Sequence, residues 1–243
     1  MKRLRIANVG YAKVLLHRPV EGIIKTATMR RTRTRKWYVT FSCDCAAPEP
    51  LSPTGQRVGI AVGPKVFAAL FTEEVMSNPR CFCAEEQALA MARRHLCRDE
   101  QGTPAPAKQR RVVARVHGRV HWRRSAFAHQ HSRCIVDRFD LIAFEELSVM
   151  GMTHNHTLTK SMHDAAWSQF ASLLAYQAAW AARKFVAVNP AYTSQKCSGC
   201  GQRQALSLDD RIDTCPHCGL VIDKDLNASK NSLSAGRHAL ASA

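Results

Sequence analysis

The chain has 243 residues, of which 46% are hydrophobic and 22% are charged, and its formal net charge at pH 7 is +16. This length and balance are typical of one large globular domain or two small ones, and they exclude fibrous, disordered and disulfide-rich miniature proteins. No run of eighteen uncharged apolar residues occurs and the first five residues are mostly basic, so we expect no membrane span and a cytoplasmic protein. A basic surplus of this kind indicates a polyanionic partner, first of all nucleic acid.

The first segment of the chain, residues 1–40, contains eleven Lys or Arg residues and a single acid. Alternating apolar and polar residues from Trp37 to Cys43 predict a β-strand, and another strand is expected over residues 11–17. We therefore predict a small antiparallel sheet with a basic edge. The arginines of its turn are candidate nucleic-acid contacts: Arg31, Arg33 and Arg35.

Four apolar runs predict the strands of a buried sheet. Residues 57–63 and 67–71 are short and continuous, which favours a hairpin of core strands. Residues 140–144 and 185–188 are two further buried strands, with a helix between them. Alternation of strands and helices predicts an α/β fold with a mixed sheet.

The helix between the last two strands begins with a pattern that resembles a capping box, Ser161-x-x-Asp164, and is expected to extend to Lys184. Its apolar residues recur at helical spacing and predict one buried face: Trp167, Phe170, Leu174, Ala178 and Ala181.

A helical hairpin is predicted between the two pairs of strands. Residues 84–97 and 107–124 have helical periodicity, and the prolines and glycine of residues 101–106 are expected to break a helix. Arginines recur at every fourth position of the second helix: Arg111, Arg115, Arg119 and Arg123. Because residues 107–124 contain seven Lys or Arg and no acid, these charges repel one another. The stripe is interpreted as a track for nucleic-acid phosphates, with a solvated surface as the alternative.

Carboxylates occur where two of the predicted elements end or begin. Glu145 and Glu146 follow a buried strand, and Asp223 and Asp225 precede the last helix. In a basic chain such groups could hold divalent metal ions for phosphodiester chemistry. The residues alone also allow a helix cap or a solvated charge at each position.

Two Cys-x-x-Cys-Gly turns separated by fourteen residues form the most specific motif in the chain. A two-residue gap brings both thiolates to one ion, and the following glycine supplies the positive φ that closes the turn. A closed shell of four sulfurs is typical of one structural zinc ion, and its ligands would be Cys197, Cys200, Cys215 and Cys218. Two redox pairs are the alternative, and His217 is expected to point outward. The other cysteines are interpreted as ordinary thiols: Cys43, Cys45, Cys81, Cys83, Cys97 and Cys134.

Several motifs occur together in the order of a known family. The C-terminal ones are Tyr192-Thr193-Ser194-Gln195-Lys196-Cys197-Ser198, the two cysteine turns, and Asp223-Lys224-Asp225-Leu226-Asn227-Ala228. The upstream ones are Leu16-His17-Arg18-Pro19, Lys36-Trp37-Tyr38-Val39, Asn78-Pro79-Arg80, Phe144-Glu145-Glu146-Leu147 and Asp164-Ala165-Ala166-Trp167. Over nearly its whole length the chain therefore resembles the TnpB (OrfB) proteins of bacterial insertion sequences, relatives of type V CRISPR effectors.

The resemblance implies a RuvC-like fold of the RNase H type, a zinc ribbon before the last helix, and a β-barrel wedge domain upstream. It divides the chain into a partial wedge-type domain (residues 1–54), a RuvC-like domain (55–189 and 223–243) with a helical hairpin insertion (83–139), and a zinc ribbon (190–222). It also implies a bacterial cytoplasmic protein that associates with the nucleoid, with guide RNA and DNA as its partners.

Family members cleave DNA under the direction of a guide RNA, with three carboxylates that hold two Mg²⁺ ions. The resemblance assigns the second carboxylate to Glu145 and the third to Asp225. The first belongs in a Gly-Ile-Asp-x-Gly block, where this chain has Gly59-Ile60-Ala61-Val62-Gly63. Because a methyl group binds no metal, loss of the ligand shared by both ions is expected to cost at least about a thousandfold in rate. Asp223 and Glu146 are candidates for a partial rescue.

Three hypotheses follow. The first is a nucleic-acid-binding protein of a mobile element that keeps the fold, the zinc ribbon and the basic helix but has lost most or all cleavage. The second is an active RNA-guided DNA endonuclease that uses Mg²⁺ or Mn²⁺, with the missing ligand displaced or supplied by a partner chain. The third is a non-functional fragment of a decayed transposon gene. Family members carry a helical recognition lobe upstream of this chain's start, so a separate chain that supplies the lobe is a further expected partner.

Overall fold

The structure is a computed structural model, and it describes residues 2–63, 65–99, 104–146, 166–204 and 211–242. Within these residues no helix is both long and apolar enough to cross a bilayer. The chain divides into two compact units, Met1–Ala47 and Pro48–Ala243. The finer division into wedge-type, RuvC-like and ribbon domains stays a prediction.

The second unit begins before residue 55, where the sequence interpretation starts the RuvC-like domain. The amide of Leu51 donates a hydrogen bond to the carbonyl of Ala181, and the Arg183 guanidinium donates to the carbonyl of Ser52. These bonds attach residues 48–54 to the second unit.

The first unit consists of two antiparallel hairpins. Strand β1 (Lys2–Ile6) pairs with β2 (Gly10–Val14), and β3 (Ile23–Arg31) pairs with β4 (Trp37–Asp44). Antiparallel pairing occurs as predicted, but the predicted strands over residues 11–17 and 37–43 belong to two separate hairpins and not to one sheet. On β4 the predicted alternation is visible, because every second residue from Val39 onward is half-buried. Strand β3 is exposed along its whole length.

The second unit is built on a mixed sheet of five strands. They are β5 (Arg57–Val62), β6 (Val66–Leu70), β7 (Val75–Ser77), β8 (Leu141–Glu145) and β9 (Lys184–Val188). The strand order is β7-β6-β5-β8-β9, with antiparallel pairs from β7 to β5 and parallel pairs from β5 to β9. The predicted hairpin of core strands and the mixed α/β sheet are confirmed.

Helices cover both faces of this sheet. Helices α1 (Glu86–Arg98) and α2 (Pro104–Arg138) pack together as the predicted hairpin, and α3 (Trp167–Trp180) packs against α2. Side chains of α2 and α3 share one hydrophobic core with β5, β6 and β8. Helix α4 (Lys224–Ala241) contacts β5, β8 and β9 on the opposite face. The predicted apolar face of α3 and the residue that follows it are buried: Trp167, Phe170, Leu174, Ala178 and Ala181.

Two helix boundaries differ from the prediction. Helix α2 begins at Pro104, so Pro104 and Pro106 lie in its first turn instead of breaking a helix. Proline is tolerated there because amides of the first turn have no acceptor within the helix. Helix α3 ends at Trp180 and not at Lys184, because Lys184 opens strand β9 beside β8. The predicted capping box at 161–164 lies outside the described residues.

Candidate functional site

The two cysteine turns meet in one cluster. The Sγ atoms of Cys197 and Cys218 lie 3.6 Å apart, as do those of Cys200 and Cys215. All four Sγ atoms lie within 4.8 Å of one another, so the cluster could hold one metal ion. The glycine after each turn has the predicted positive φ, 77° in the first turn and 73° in the second. Its amide donates to the carbonyl of the turn's first cysteine, 2.9 Å away in both turns.

Burial raises the pKa of Cys218 to about 12, whereas backbone amides favour the thiolate form of Cys215. Those of Cys218 and His217 donate hydrogen bonds that lower the pKa of Cys215 to about 6. The thiolate is the form of cysteine that binds metals. The His217 residue is exposed and does not belong to the cluster, as expected. In the part of the chain that the structure describes, the other six cysteines belong to no such group.

The second turn lies in a short hairpin that leads directly into helix α4. Its strands are β10 (Ile212–Thr214) and β11 (Val221–Asp223), and Lys224 is the first residue of the helix. We call residues 190–204 and 211–223 the ribbon. The four cysteines therefore stand next to the helix that carries Asp225.

Two asparagines of α4 hold the first cysteine turn. Asn227 is fully buried, and its Oδ1 accepts from the amide of Ser198 while its Nδ2 donates to the carbonyl of Lys196, both at 2.8 Å. Asn231 Nδ2 donates to the carbonyls of Thr193 and Lys196 at 2.8 and 2.6 Å. The backbone of the ribbon from Thr193 to Ser198 is thus fixed to α4.

Glu145 is buried at the C-terminal end of β8. Its Oε1 accepts a hydrogen bond from the Thr193 hydroxyl at 2.5 Å, and its carboxylate also accepts from the amide of Val62. Burial raises the pKa of Glu145 above its ordinary value, the two hydrogen bonds oppose the rise, and the charge of Asp225 adds to it. The neighbouring Glu146 is exposed. The two residues that the sequence analysis placed together thus have different surroundings, and only Glu145 faces Asp225.

Asp225 lies in the first turn of α4, close to the end of β5. A Cβ atom added at Gly63 would lie 3.9 Å from its Oδ1, and Arg211 Nη1 donates to its Oδ2 at 3.0 Å. Asp223 caps the helix, because its Oδ1 accepts from the amides of Asp225 and Leu226. The carboxylate of Asp223, a candidate for rescue, is therefore already engaged as a cap.

Position 61 stands beside these two carboxylates. Strands β5 and β8 are parallel with Gly59 opposite Ala143, and the same register continued by two residues brings Ala61 opposite Glu145. Side chains two positions apart share a face of a strand, and a Cβ at Gly59 would overlap the backbone of α4. The face that carries Ala61 is thus the face that carries Glu145 and meets the helix of Asp225. The Ala61 methyl is buried there, with 4% of the residue exposed.

The arginine stripe of α2 is partly neutralised from outside the helix. Arg119 donates to both carboxylate oxygens of Glu85, and Arg123 Nη1 also donates to Glu85 Oε1 at 2.9 Å. The hydrogen bond from Arg119 lowers the pKa of Glu85. Arg111 donates to a carbonyl one turn earlier, and Arg115 is exposed without an acidic partner among the described residues. The assumption that no carboxylate relieves the stripe is corrected by Glu85, while contact with nucleic acid stays a prediction.

The candidate arginines of the first unit are all exposed. Arg31 ends β3 and lies over the ring of Trp37 at 5.8 Å, and Arg33 and Arg35 lie in the turn between β3 and β4. Among the described residues no carboxylate pairs with any of the three. Their role in binding stays a prediction.

Sequence reasoning assigned no role to two residues that contact the carboxylates, Thr193 and Arg211. A signal for them exists, because each stands four positions before the first cysteine of a turn. The four-residue spacing does not by itself show that either side chain contacts an acid, and the structure provides this.

Comparison with known proteins agrees with the fold and the cysteine cluster. Two family models match the chain, one described as "Probable transposase" (OrfB_IS605) over residues 40–156 and one as the Cas12f1-like TNB domain over residues 167–232. A "Putative RNA-guided DNA endonuclease" of Streptomyces pristinaespiralis is 37% identical over 87% of this chain and 52% of its own length. Over most of its length the chain is thus similar to TnpB-type proteins.

Other relatives of this chain are more distant. The "Putative RNA-guided DNA endonuclease InsQ" of Escherichia coli is 26% identical over 98% of the chain and 63% of its own length. A Cas12f1 complex with guide RNA and target DNA has a TM-score of 0.58 and 17% identity, over 81% of this chain and 42% of that one. The expected family and its RuvC-like, Cas12f-like fold are confirmed. The chain spans between half and two thirds of the length of these two curated relatives.

Proposed function

We propose that this chain is a nucleic-acid-binding protein of a mobile element, built on the scaffold of an RNA-guided DNA endonuclease, with cleavage lost or strongly impaired. The observation that carries the proposal is the alanine at position 61. Its methyl group stands beside Glu145 on the face that meets Asp225, where a third carboxylate would complete the set. The names of the two curated relatives support guide RNA and DNA as the partners.

The two carboxylates that are present fit one divalent ion. Mg²⁺ and Mn²⁺ prefer oxygen ligands and can be held by one or two carboxylates together with water, which Glu145 and Asp225 would supply. A bound ion would polarise a phosphate oxygen, but the two-ion mechanism needs ions about 3.5 to 4 Å apart on shared ligands. Because Ala61 cannot bridge two ions, we expect a loss of at least about a thousandfold in rate, or about 4 kcal/mol.

We assign a structural Zn²⁺ ion to the four cysteines. A tetrahedral ion with Zn–S bonds of about 2.3 Å holds its sulfurs about 3.8 Å apart. The separations of 3.6 Å within the cluster fit this geometry, and four sulfurs leave no position open for substrate. The role of the ion would be to hold the ribbon against α4.

Binding of nucleic acid would rest on the arginines that have no acidic partner among the residues that the structure describes. Arg31, Arg33 and Arg35 of the first unit and Arg115 of α2 are exposed, whereas Arg119 and Arg123 share Glu85. Contacts between arginines and phosphates release counterions, so we expect the affinity to fall steeply as salt concentration rises.

The test of the proposal is a cleavage assay with DNA, guide RNA and Mg²⁺ or Mn²⁺, on the unchanged chain and on Ala61→Asp. We expect no nicking by the unchanged chain and a gain of at least about tenfold in Ala61→Asp, because the added carboxylate supplies the missing ligand. Ala61→Asn is the matched control, since it has nearly the same shape without the charge, and it should not gain activity.

The result that would contradict the proposal is cleavage by the unchanged chain that disappears in Glu145→Ala. An active enzyme is the second candidate function, and the intact pair of Glu145 and Asp225 is the observation that favours it. If Ala61→Asp and Ala61→Asn are equally inactive while both bind nucleic acid, a missing carboxylate is not what limits cleavage.

A further inference from the structure

The ribbon contacts both carboxylates of the candidate site. Thr193, four residues before the first cysteine of the first turn, donates to Glu145, and Arg211, four residues before the first cysteine of the second turn, donates to Asp225. The segment before each cysteine turn therefore contacts one of the two acids.

The contact to Glu145 can change between two acceptors. Thr193 Oγ1 lies 2.5 Å from Glu145 Oε1 and 3.0 Å from the carbonyl oxygen of Pro190. A hydroxyl group has a single proton to donate. A small movement of Thr193 is thus enough to transfer this hydrogen bond from the carboxylate to the carbonyl.

The position of Thr193 depends on the first cysteine turn. The same amide group of Asn231 bonds to the carbonyls of Thr193 and Lys196, and Lys196 directly precedes Cys197. The residues between them form a tight turn, in which the amide of Lys196 donates to the carbonyl of Tyr192 at 2.9 Å. A displacement of Cys197 is therefore transmitted to Thr193.

We infer that metal binding at the four cysteines sets the hydrogen bond from Thr193 to Glu145, which makes Thr193 a positioning residue for the carboxylate site. A bound ion draws the two turns together and fixes Cys197. Without the ion the four Sγ atoms have no shared metal to hold them together, the first turn is held by α4 alone, and the Thr193 hydroxyl turns to Pro190. Glu145 then keeps only the hydrogen bond from Val62.

This inference rests on the proposed function only where it treats Glu145 as a ligand of a divalent ion. The coupling between the cysteine cluster and Glu145 does not depend on cleavage. It can therefore be tested in a protein that cuts nothing.

The backbone amide of Val62 is the reporter, because it donates to the Glu145 carboxylate and lies on β5 outside the ribbon. Its ¹H and ¹⁵N shifts are measured on the full chain loaded with zinc and after removal of zinc by a chelator. We expect the Val62 signal to move on zinc removal, and to move further than the amides of Ile60 and Phe144 in the same sheet. An unchanged Val62 signal in a folded, zinc-free protein would overturn the inference.

Variants separate the hydroxyl group from the shape of the side chain. In zinc-loaded protein, Thr193→Val should shift the Val62 amide in the same direction as zinc removal, and Thr193→Ser should restore the native shift. Thr40→Val, at an exposed threonine of β4 outside the ribbon, is the matched control and should leave Val62 unchanged. If zinc removal unfolds the chain, this comparison decides alone. A Thr193→Ser protein that behaves like Thr193→Val would refute the role of the hydroxyl.

A second readout is the affinity for Mn²⁺, followed by its paramagnetic broadening of the Val62 signal. We expect Thr193→Val to bind Mn²⁺ roughly tenfold more weakly than the native chain, the effect of losing one hydrogen bond to a charged group. If no variant and no native protein binds Mn²⁺ while Val62 still responds to zinc, the proposed metal site fails and the coupling stands. If Mn²⁺ binds equally well to the native chain and to the variants, and the Val62 signal does not move on zinc removal, the coupling fails and the metal site stands.

Discussion

Asp140 and Glu145 stand at the two ends of strand β8, and their surroundings act on them in opposite directions. Asp140 accepts from the amides of Thr54 and Gly55 and from the Thr54 hydroxyl, and it pairs with the buried guanidinium of Arg183. The hydrogen bond from the backbone amide of Thr54 is the largest single cause of the lowered pKa of Asp140. At Glu145, burial outweighs two hydrogen bonds and raises the pKa.

The difference separates a carboxylate that serves the fold from one that is available to a ligand. The neighbours of Asp140 satisfy its charge, so ionisation of Asp140 stabilises the native state. The charge of Glu145 is only partly satisfied, and a second acid stands near it, so ionisation of Glu145 costs stability. Buried ionisable groups whose lost hydration is only partly replaced by protein contacts are typical of functional sites.

The largest effect is expected at the structural end of the strand. Asp140→Asn should lower the free energy of unfolding by about 3 kcal/mol, because it leaves the buried Arg183 guanidinium without its counterion. Urea denaturation measures this as a fall in midpoint at unchanged slope. Asp137→Asn is the control, since its exposed ion pair with Arg133 is worth less than about 1 kcal/mol. Equal losses in both variants would remove the distinction.

A smaller effect on stability is expected when a third carboxylate is added beside Glu145. Ala61→Asp adds a third negative charge beside Glu145 and Asp225, so without divalent ions it should be about 1 to 2 kcal/mol less stable than the native chain. Mn²⁺ at a hundred times its Kd should return about 2.7 kcal/mol. Thermal unfolding with and without Mn²⁺ checks this, and Ala61→Asn should respond to Mn²⁺ no more than the native chain. An Ala61→Asp protein that Mn²⁺ does not stabilise would argue against a metal site here.

Glu145→Gln should have the opposite sign to Asp140→Asn and a smaller size. The raised pKa indicates that the surroundings of Glu145 prefer a neutral side chain, so removal of the charge should stabilise the protein by about 1 kcal/mol at pH 7. Denaturation of the two proteins side by side is the measurement. A destabilised Glu145→Gln would mean that the hydrogen bonds from Thr193 and Val62 outweigh burial.

The pH dependence of stability is expected to carry both signatures. The pKa of Asp140 is lower in the folded than in the unfolded protein, so the ionised side chain contributes stability at pH values above its unfolded pKa. This contribution is lost as the pH falls through the folded pKa. The pKa of Glu145 is higher in the folded than in the unfolded protein. The free energy of unfolding therefore falls as the pH rises from the unfolded pKa through the folded pKa. In a plot of stability against pH, Asp140→Asn should flatten the slope at acidic pH. Glu145→Gln should flatten the slope at the higher pH values where Glu145 ionises. Profiles that keep both slopes in both variants would refute the assignment.

Local patterns carried most of the fold. The alternation on β4, the apolar runs of β5, β6 and β8, and the buried face of α3 all follow from side-chain periods that a sequence displays directly. Boundaries were less predictable. Proline breaks a helix in its interior but suits its first turn, and sequence alone does not tell at which residue α2 begins.

Contacts between distant segments could not be read from the sequence. The arginine stripe looked uncompensated because its neutralising acid, Glu85, stands 34 residues before Arg119, directly before helix α1. Thr193 lies 48 residues from Glu145, and the pairing of β9 with β8 together with the packing of the ribbon onto α4 brings them together. The cysteines were found because their spacing encodes the site within the turns themselves.

The contact between α4 and the sheet has a consequence for how this region tolerates change. A Cβ at Gly59 would lie 2.0 Å from the carbonyl oxygen of Ser229, and a Cβ at Gly236 would lie 2.5 Å from the Cβ of Ala143. Helix and strand thus meet through main-chain atoms and a methyl group, which have no rotamers with which to make room. A larger residue at Gly59 or Gly236 should therefore force the helix and the strand apart, with a large loss of stability at either position.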